Sequence, residues 1–109
     1  MKIKSKIWIE NDEGILISDG RVQLLKLIED TGSLNKAAKA MNLSYQKAWK
    51  LVDASNKAAK SPLIETHVGG NKGGGTILTP YGKSLIEIFE AINADCWIFL
   101  DEQLKKHGI

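Results

Sequence analysis

The segment at residues 33–60 has the sequence SLNKAAKAMNLSYQKAWKLVDASNKAAK and decides the fold. Ser33 and Ser44 each stand at the start of a helical pattern, where a serine oxygen can accept a hydrogen bond from the first turn. After Ser33, apolar residues recur at the spacing of one buried helical face, namely Leu34, Ala37, Ala38 and Met41. The pattern predicts two short helices joined by a few residues, which is the arrangement of a helix-turn-helix.

The helix after Ser44 has two chemically different faces. Small or apolar residues occupy one of them, namely Ala48, Val52, Ser55 and Ala59. Because successive residues turn by about 100°, the opposite face carries an amide, an indole and charged groups, namely Gln46, Trp49, Lys50, Asp53, Lys57 and Lys60. We therefore expect one side to pack on the domain and the other side to present polar groups.

The elements predicted upstream are a β-hairpin and one more helix. Hydrophobic runs at residues 3–9 and 15–17 flank a polar loop that ends in glycine, a pattern that favours a hairpin. Ser18 or Asp19 caps the helix that follows, and Gly32 ends it.

Downstream, Pro62 ends the helical segment because proline cannot continue the hydrogen-bond ladder. Strands at residues 63–68 and 76–78 enclose a glycine-rich loop, and a long helix at residues 80–106 begins at a Thr-Pro cap. The order predicts one α+β domain over residues 1–109, a winged helix-turn-helix. It has an N-terminal β-hairpin, three helices with the helix-turn-helix at 33–60, a β-hairpin wing at 63–78 and a long C-terminal dimerisation helix.

Length and composition agree with a single domain. The chain has 109 residues, of which 43 % are hydrophobic, enough for one core. No apolar run is long enough to span a membrane and the charged N-terminus does not match a signal peptide, so we expect a cytoplasmic protein with no membrane partner. One cysteine and two histidines, without ligand spacing, predict no metal site and no cofactor.

Charge is distributed unevenly along the chain, whose net charge is +2. Residues 33–75 contain seven lysines and two acidic residues, whereas residues 84–109 contain two lysines and five acidic residues. A basic middle segment is compatible with a nucleic-acid partner, although lysine-rich helices are often only solvated.

The helix that begins after Ser44 has the side chains that major-groove recognition requires. The hydroxyl of Ser44 or Tyr45 can bond a phosphate, Gln46 can pair with adenine through two hydrogen bonds, and Lys47 or Lys50 can donate to guanine. We therefore predict that this helix binds double-stranded DNA.

Four further residues complete the predicted DNA-binding set. Trp49 either packs against a thymine methyl group or sugar, or folds back onto the wing. Ser33 lies at the start of the preceding helix. Asn71 and Lys72 lie at the tip of the glycine loop, where a lack of side chains permits close approach to the sugar-phosphate backbone. The loop does not match a nucleotide-binding P-loop, because a strand follows it instead of Lys-Ser or Lys-Thr and a helix. A loop without any ligand is the remaining alternative.

The last helix has more apolar residues than one face of a small domain can bury. Some of them must then be covered by a partner, and a second copy fits the two-fold symmetry of many DNA sites. The predicted dimer interface consists of Leu85, Ile88, Phe89, Ile92, Trp97, Phe99 and Leu100.

Three motifs between Gly32 and Leu85 carry a family resemblance. They are Ser-Tyr-x-x-Ala-Trp at residues 44–49, Gly-Gly-x-x-Gly-Gly-Gly at 69–75 and Thr-Pro-x-Gly at 79–82. Together they resemble the N-terminal DNA-binding domain of the molybdate-responsive ModE regulators and, more distantly, the winged helices of LysR-type regulators. With the preceding hairpin and the last helix, the resemblance covers nearly the whole chain.

The resemblance implies a dimer that is joined mainly through the first and last helices. It further implies that the recognition helix of each copy, from Ser44 and Tyr45 onward, enters one of two successive major grooves. The wing of each copy, around Asn71 and Lys72, then lies near the DNA backbone. Full-length regulators of this family have C-terminal oxyanion-binding modules that sense molybdate. Since this chain finishes at Ile109, we expect no molybdate sensor in it.

The sequence thus predicts a sequence-specific DNA-binding transcriptional regulator that acts as a homodimer. The alternative is a winged-helix protein-interaction module that uses its apolar last helix and does not bind DNA. We expect no enzymatic activity, since the chain has no recognisable catalytic arrangement and its histidines, His67 and His107, lie on a wing strand and in the C-terminal tail.

Overall fold

Four helices and two antiparallel hairpins form the chain in a computed structural model that describes residues 1–67 and 75–109. The elements in chain order are β1 (Trp8–Asn11), β2 (Gly14–Ser18), α1 (Asp19–Thr31), α2 (Leu34–Ala40), α3 (Tyr45–Ala58), β3 (Ile64–His67), β4 (Gly75–Leu78) and α4 (Pro80–His107). This order confirms the predicted α+β winged-helix architecture.

The N-terminal hairpin is tighter than the sequence predicts. Asn11 pairs with Gly14, so that only Asp12 and Glu13 form the turn, and the Asn11 side chain accepts a hydrogen bond from the Glu13 N–H at 2.9 Å. Gly14 has a φ of 130°, a conformation that side chains rarely adopt and that explains why glycine ends the turn.

Hydroxyl residues begin all four helices, as predicted. In each case the side-chain oxygen accepts a hydrogen bond from the N–H three residues later; these caps are Ser18, Ser33, Ser44 and Thr79. The first helix ends at Gly32, which has the left-handed conformation with a φ of 67°. Each cap satisfies an N–H group that would otherwise lack a partner inside the helix and contributes about 1 kcal/mol.

The core lies where α1, α2 and α3 meet the hairpins and the first half of α4. Ala37, Ala38 and Ala48 are fully buried, and their small side chains allow α2 and α3 to approach closely. Met41 and Ala59, which the periodicity places on the buried faces, are only half-buried because each lies at the end of its helix.

One backbone hydrogen bond attaches the second hairpin to the end of α1, and another continues the pairing of its strands at its base. Thr76 N–H donates to the Gly32 carbonyl, and Thr79 N–H donates to the Leu63 carbonyl, each at 3.0 Å. Gly82 permits this close packing, since a Cβ atom there would lie 2.5 Å from the Leu63 oxygen. The second hairpin is therefore fixed to the end of α1 through β4 and packs closely on α4 at its base.

The last helix continues beyond the rest of the domain. Its buried residues are Gly82, Leu85, Ile86 and Phe89, all in its first half. Ion pairs join this half to α1, with Lys26 Nζ 2.8 Å from Glu90 and Lys83 Nζ 3.3 Å from Glu29. The radius of gyration is 16.5 Å, above the value of about 13 Å for a compact chain of this length.

Candidate nucleic-acid interface

The outer face of α3 presents the predicted groove-binding residues to solvent. Tyr45 is 53 % exposed and Trp49 is 47 % exposed, and the side chains between them at Gln46 and Lys47 are exposed as well. Lys50 continues the same surface. These five residues, together with the exposed cap Ser44, form what we call the α3 surface.

The α3 surface is cationic in its first turns. Asp53 is the one acidic residue of α3. Its carboxylate forms an ion pair with Lys57, one turn further along, with 3.0 Å between Lys57 Nζ and Asp53 Oδ2. Within residues 1–67 and 75–109, neither Lys47 nor Lys50 takes part in an ion pair. Their ammonium groups are therefore available to an anionic partner such as a phosphate or to base acceptors.

A buried polar contact holds the inner face of α3. Ser55 is only 2 % exposed, and its hydroxyl accepts a hydrogen bond from the Arg21 guanidinium at 2.8 Å. The same guanidinium nitrogen donates to the carbonyl of Ile15 on β2. Burial lowers the pKa of the Arg21 guanidinium, although arginine keeps its charge in proteins. Arg21 thus links α1, β2 and α3.

Two further side chains fix the C-terminal end of α3. The Asn11 amide donates to the Ala58 carbonyl at 2.9 Å, and the Asn56 oxygen accepts a hydrogen bond from Leu63 N–H at 2.8 Å. The sequence patterns did not predict the roles of these two residues or of Arg21. The only local signal was a serine, Ser55, on an otherwise apolar helix face.

An open crevice lies between the helix-turn-helix and the base of the wing. Residues from α2, α3, β3 and β4 line it: Ser33, Leu34, Asn35, Tyr45, Thr66, His67, Gly75 and Thr76. The structure thus brings the predicted residues Ser33 and Tyr45 together. Asn35, Thr66 and His67 were not among the predicted site residues, because no local sequence pattern places them beside the helix-turn-helix.

The predicted tip of the wing, with Asn71 and Lys72, lies outside the described residues. The described strands β3 and β4 pair in register from Ile64 opposite Leu78 to His67 opposite Gly75. Contact between the wing tip and DNA therefore stays a prediction.

The predicted dimer residues of α4 fall into two groups. Leu85 and Phe89 are buried in the core of the single chain, and Leu100 is half-buried. The others have about half of their surface exposed, namely Ile88, Ile92, Trp97 and Phe99. Ile98, which was not predicted, is 56 % exposed. Leu85 and Phe89 thus pack within their own chain, and the surface open to a partner comes from the remaining residues.

Two properties of the described residues concern other partners. No helix there has the length and apolar character that crossing a membrane requires. Nor do three or more histidine, cysteine, aspartate or glutamate residues cluster there in a way that could hold a metal ion.

Comparison with known proteins gives several similar sequences, while no protein-family model matches the chain. "Molybdenum transport protein ModE" of Azotobacter vinelandii is 39 % identical over 97 residues, which are 89 % of this chain and 36 % of that protein. "Transcriptional regulator ModE" of Haemophilus influenzae is 40 % identical over 86 residues, 79 % of this chain and 34 % of that protein.

A third relative, "DNA-binding transcriptional dual regulator ModE" of Escherichia coli K12, is 38 % identical over 92 residues, 84 % of this chain and 35 % of that protein. The chain spans about a third of the length of these curated relatives. Over most of its own length, this chain is therefore similar to the ModE transcriptional regulators, consistent with their N-terminal DNA-binding region.

Proposed function

We propose that this chain is a transcriptional regulator, not an enzyme, and that it binds double-stranded DNA in a sequence-specific manner as a homodimer. The observation that carries the proposal is the α3 surface, where polar, aromatic and cationic side chains are exposed on a helix whose other face is buried. Relatives named as transcriptional regulators support it. A regulator of this kind acts on the chromosome, so we place it in the cytoplasm.

In the proposed complex the first turns of α3 enter the major groove, which admits one helix. Gln46 donates one hydrogen bond to an adenine and accepts another from it, while Lys47 or Lys50 donates a hydrogen bond to a guanine. Ser44 and Tyr45 bond the phosphates at the groove edge. Trp49 contacts a thymine methyl group or a sugar. Ser33, Asn71 and Lys72 contact the sugar-phosphate backbone of the DNA beside the wing.

The proposed dimer forms through exposed apolar residues of α4 between Ile88 and Phe99. Ile88, Ile92 and Phe99 follow one another at helical spacing and form a stripe of exposed apolar surface, with Trp97 on another side of the same helix. Exposed apolar surface of this kind is unfavourable in water and marks interaction sites. A second copy related by a two-fold axis covers the stripe and places two α3 helices about 34–36 Å apart, one DNA turn.

The proposal concerns DNA binding by these residues and does not include a molybdate sensor. The names of the relatives refer to molybdenum transport and, for the Rhodobacter capsulatus protein, to molybdenum-pterin binding. Those activities belong to proteins of which the matched region covers 36 % and 27 %, respectively.

Selection of bound duplexes from a random pool tests the proposal. We expect enrichment of a two-fold symmetric consensus, because each half-site contacts one α3 surface. Failure to enrich any sequence at a low salt concentration of about 50 mM, where phosphate contacts are strongest, would contradict DNA binding. The exposed apolar part of α4 would then favour the alternative, a protein-interaction module, and cross-linking to a different chain would support it.

A further inference from the structure

The C-terminal end of α3 is held by a side chain of the N-terminal hairpin and not by a glycine. By contrast, α1 and α4 end at Gly32 and Gly108, which have the left-handed conformation that closes the last turn of many helices. α3 ends at Ala59, whose backbone is extended, with a φ of −84° and a ψ of 155°. In its last turn the Ala58 carbonyl accepts a hydrogen bond from outside the helix, from the Asn11 amide at 2.9 Å. The last turn of α3 is thus fastened to β1.

The Asn11 side chain uses both halves of its amide. Its nitrogen donates to the Ala58 carbonyl, and its oxygen accepts a hydrogen bond from Glu13 N–H at 2.9 Å within the turn of the hairpin. Because an asparagine carries its donor and its acceptor on separate atoms, it can bond the turn and the helix at the same time. The turn is thereby joined to a helix end 47 positions further along the chain.

The same hairpin supports α3 at a second point. The Arg21 guanidinium donates to the Ile15 carbonyl of β2 and to the buried hydroxyl of Ser55. Ser55 and Ala58 both lie in the last part of α3, whereas the α3 surface occupies its first turns. The N-terminal hairpin therefore holds α3 from the end opposite to the α3 surface.

The length of α3 makes its tilt important for base recognition. Gln46 and Ala58 are about 18 Å apart along the helix axis, at about 1.5 Å per residue. A change of tilt at one end of so short a helix moves all the side chains at the other end. Hydrogen bonds to base edges are restricted in both distance and angle, whereas a lysine reaches a phosphate with a point charge on a flexible stem. A looser α3 therefore loses base selection before it loses general affinity.

We propose that Asn11 is a positioning residue for DNA recognition, because its hydrogen bond to the Ala58 carbonyl fixes the tilt of α3 and so sharpens the choice of bases by the α3 surface. The inference rests on the proposed DNA-binding function and deepens it, since it adds a residue that determines specificity through α3. Asn11 is exposed, so its substitution leaves the core unchanged.

The test compares the affinity for the selected duplex with the affinity for an unrelated duplex of the same length at one salt concentration. Asn11→Asp keeps an oxygen that accepts from Glu13 N–H and loses the amide N–H that reaches Ala58. We expect the ratio of the two affinities to fall about 3- to 10-fold, because part of the discrimination by base contacts is lost. The negative charge added by this substitution weakens the binding of both duplexes alike and cancels in the ratio.

Two further variants separate the hydrogen bond from its side effects. Asn11→Ser is neutral and keeps a hydroxyl that can form the turn, but it lacks the amide that bonds Ala58, so we expect the same fall in the ratio. Glu13→Gln changes the charge of the turn and leaves the N–H that donates to Asn11. It should keep the wild-type ratio and is the matched control.

Hydrogen exchange gives a readout on α3 itself. We expect the amides in the last turn of α3 to exchange faster in both Asn11 variants, because local opening becomes easier there, and to exchange at the wild-type rate in Glu13→Gln. Circular dichroism shows whether each variant is folded, and either Asn11 variant, when folded, is sufficient for the test.

Different results overturn the two proposals. If the wild type prefers the selected duplex and a folded Asn11 variant keeps this preference in full, the positioning role is wrong while DNA binding stands. If the wild type binds neither duplex, or binds both equally, the proposed function fails and the role of Asn11 fails with it.

Discussion

At the scale of single residues, the placement of α3 depends on the buried contact between Arg21 and Ser55. Ser55→Ala removes the hydroxyl and leaves a guanidinium N–H without its partner in a site that is closed to solvent on the Ser55 side. A buried donor without a partner costs about 1–3 kcal/mol. We expect the free energy of unfolding, measured by urea denaturation, to fall by that amount.

Ser84→Ala is the matched control, because Ser84 is exposed on α4. A surface substitution of this kind changes stability by about 0.5 kcal/mol or less. Equal effects of the two substitutions would show that the Arg21 contact does not stabilise the fold.

Gln46 is the residue for which the proposed base recognition is most specific. Gln46→Ala removes both hydrogen bonds to adenine, which discriminate against other bases by about 1–3 kcal/mol. We expect repeated duplex selection to lose the preference at one position of each half-site and to keep it elsewhere. Gln23→Ala, at an exposed glutamine of α1, should leave the consensus unchanged. A full adenine preference in the Gln46 variant would mean that another side chain contacts this base.

The sequence predicted those residues whose role depends on near neighbours. A cap such as Ser44 is recognisable because its hydrogen bond reaches only three residues along the chain. Arg21 and Ser55 are 34 positions apart, and His67 and Ser33 line the same crevice only after the second hairpin has bonded, through Thr76, to Gly32 before α2. Contacts of this kind depend on tertiary packing, which residue spacing alone does not encode.

At the scale of elements, the packing of the wing base against α4 depends on Gly82. A Cβ atom at this position would lie 2.5 Å from the Leu63 oxygen and 2.6 Å from a Leu78 methyl carbon. Gly82→Ala therefore forces β3 and β4 away from α4, and overpacking of this kind costs about 1–3 kcal/mol. We expect a lower free energy of unfolding in urea denaturation.

The control is Gly20→Ala in α1, where a Cβ atom meets nothing within 4 Å. Alanine favours the helix over glycine by about 0.5–1 kcal/mol, so this substitution should stabilise the protein. The same chemical change then has opposite signs at the two sites. A stabilising effect at Gly82 would contradict the close packing between α4 and Leu63.

Periodicity predicted the existence of α4 but not which of its apolar residues the chain itself buries. Leu85, Ile88, Phe89 and Ile92 all fit one helical face, since their spacings are three and four residues. The position of α4 against α1 and the hairpins places Phe89 inside and leaves Ile88 and Ile92 half exposed. The angle at which a helix meets its neighbours decides this division.

At the scale of the whole molecule, the single chain has an extended shape in which part of α4 lies outside the core. The longest dimension is 62 Å, against 27 and 21 Å for the others. Residues 92–99 of α4 include exposed apolar side chains at Ile92, Trp97, Ile98 and Phe99. An isolated chain would leave this surface in water, so we expect the dimer to be the stable species.

Ile92→Lys tests the dimer, because it places two ammonium groups in an apolar interface that has lost its central side chain. We expect light scattering to show a monomer. We also expect affinity for the symmetric duplex to fall by about 10²- to 10⁴-fold, the gain that linking two binding sites normally provides. Ile77→Lys is the matched control for the oligomeric state, since Ile77 is also about half exposed but lies on β4. If the Ile92→Lys variant is still a dimer and binds the symmetric duplex with unchanged affinity, the interface lies elsewhere. The spacing of the half-sites in the selected DNA would then depend on an interface outside α4.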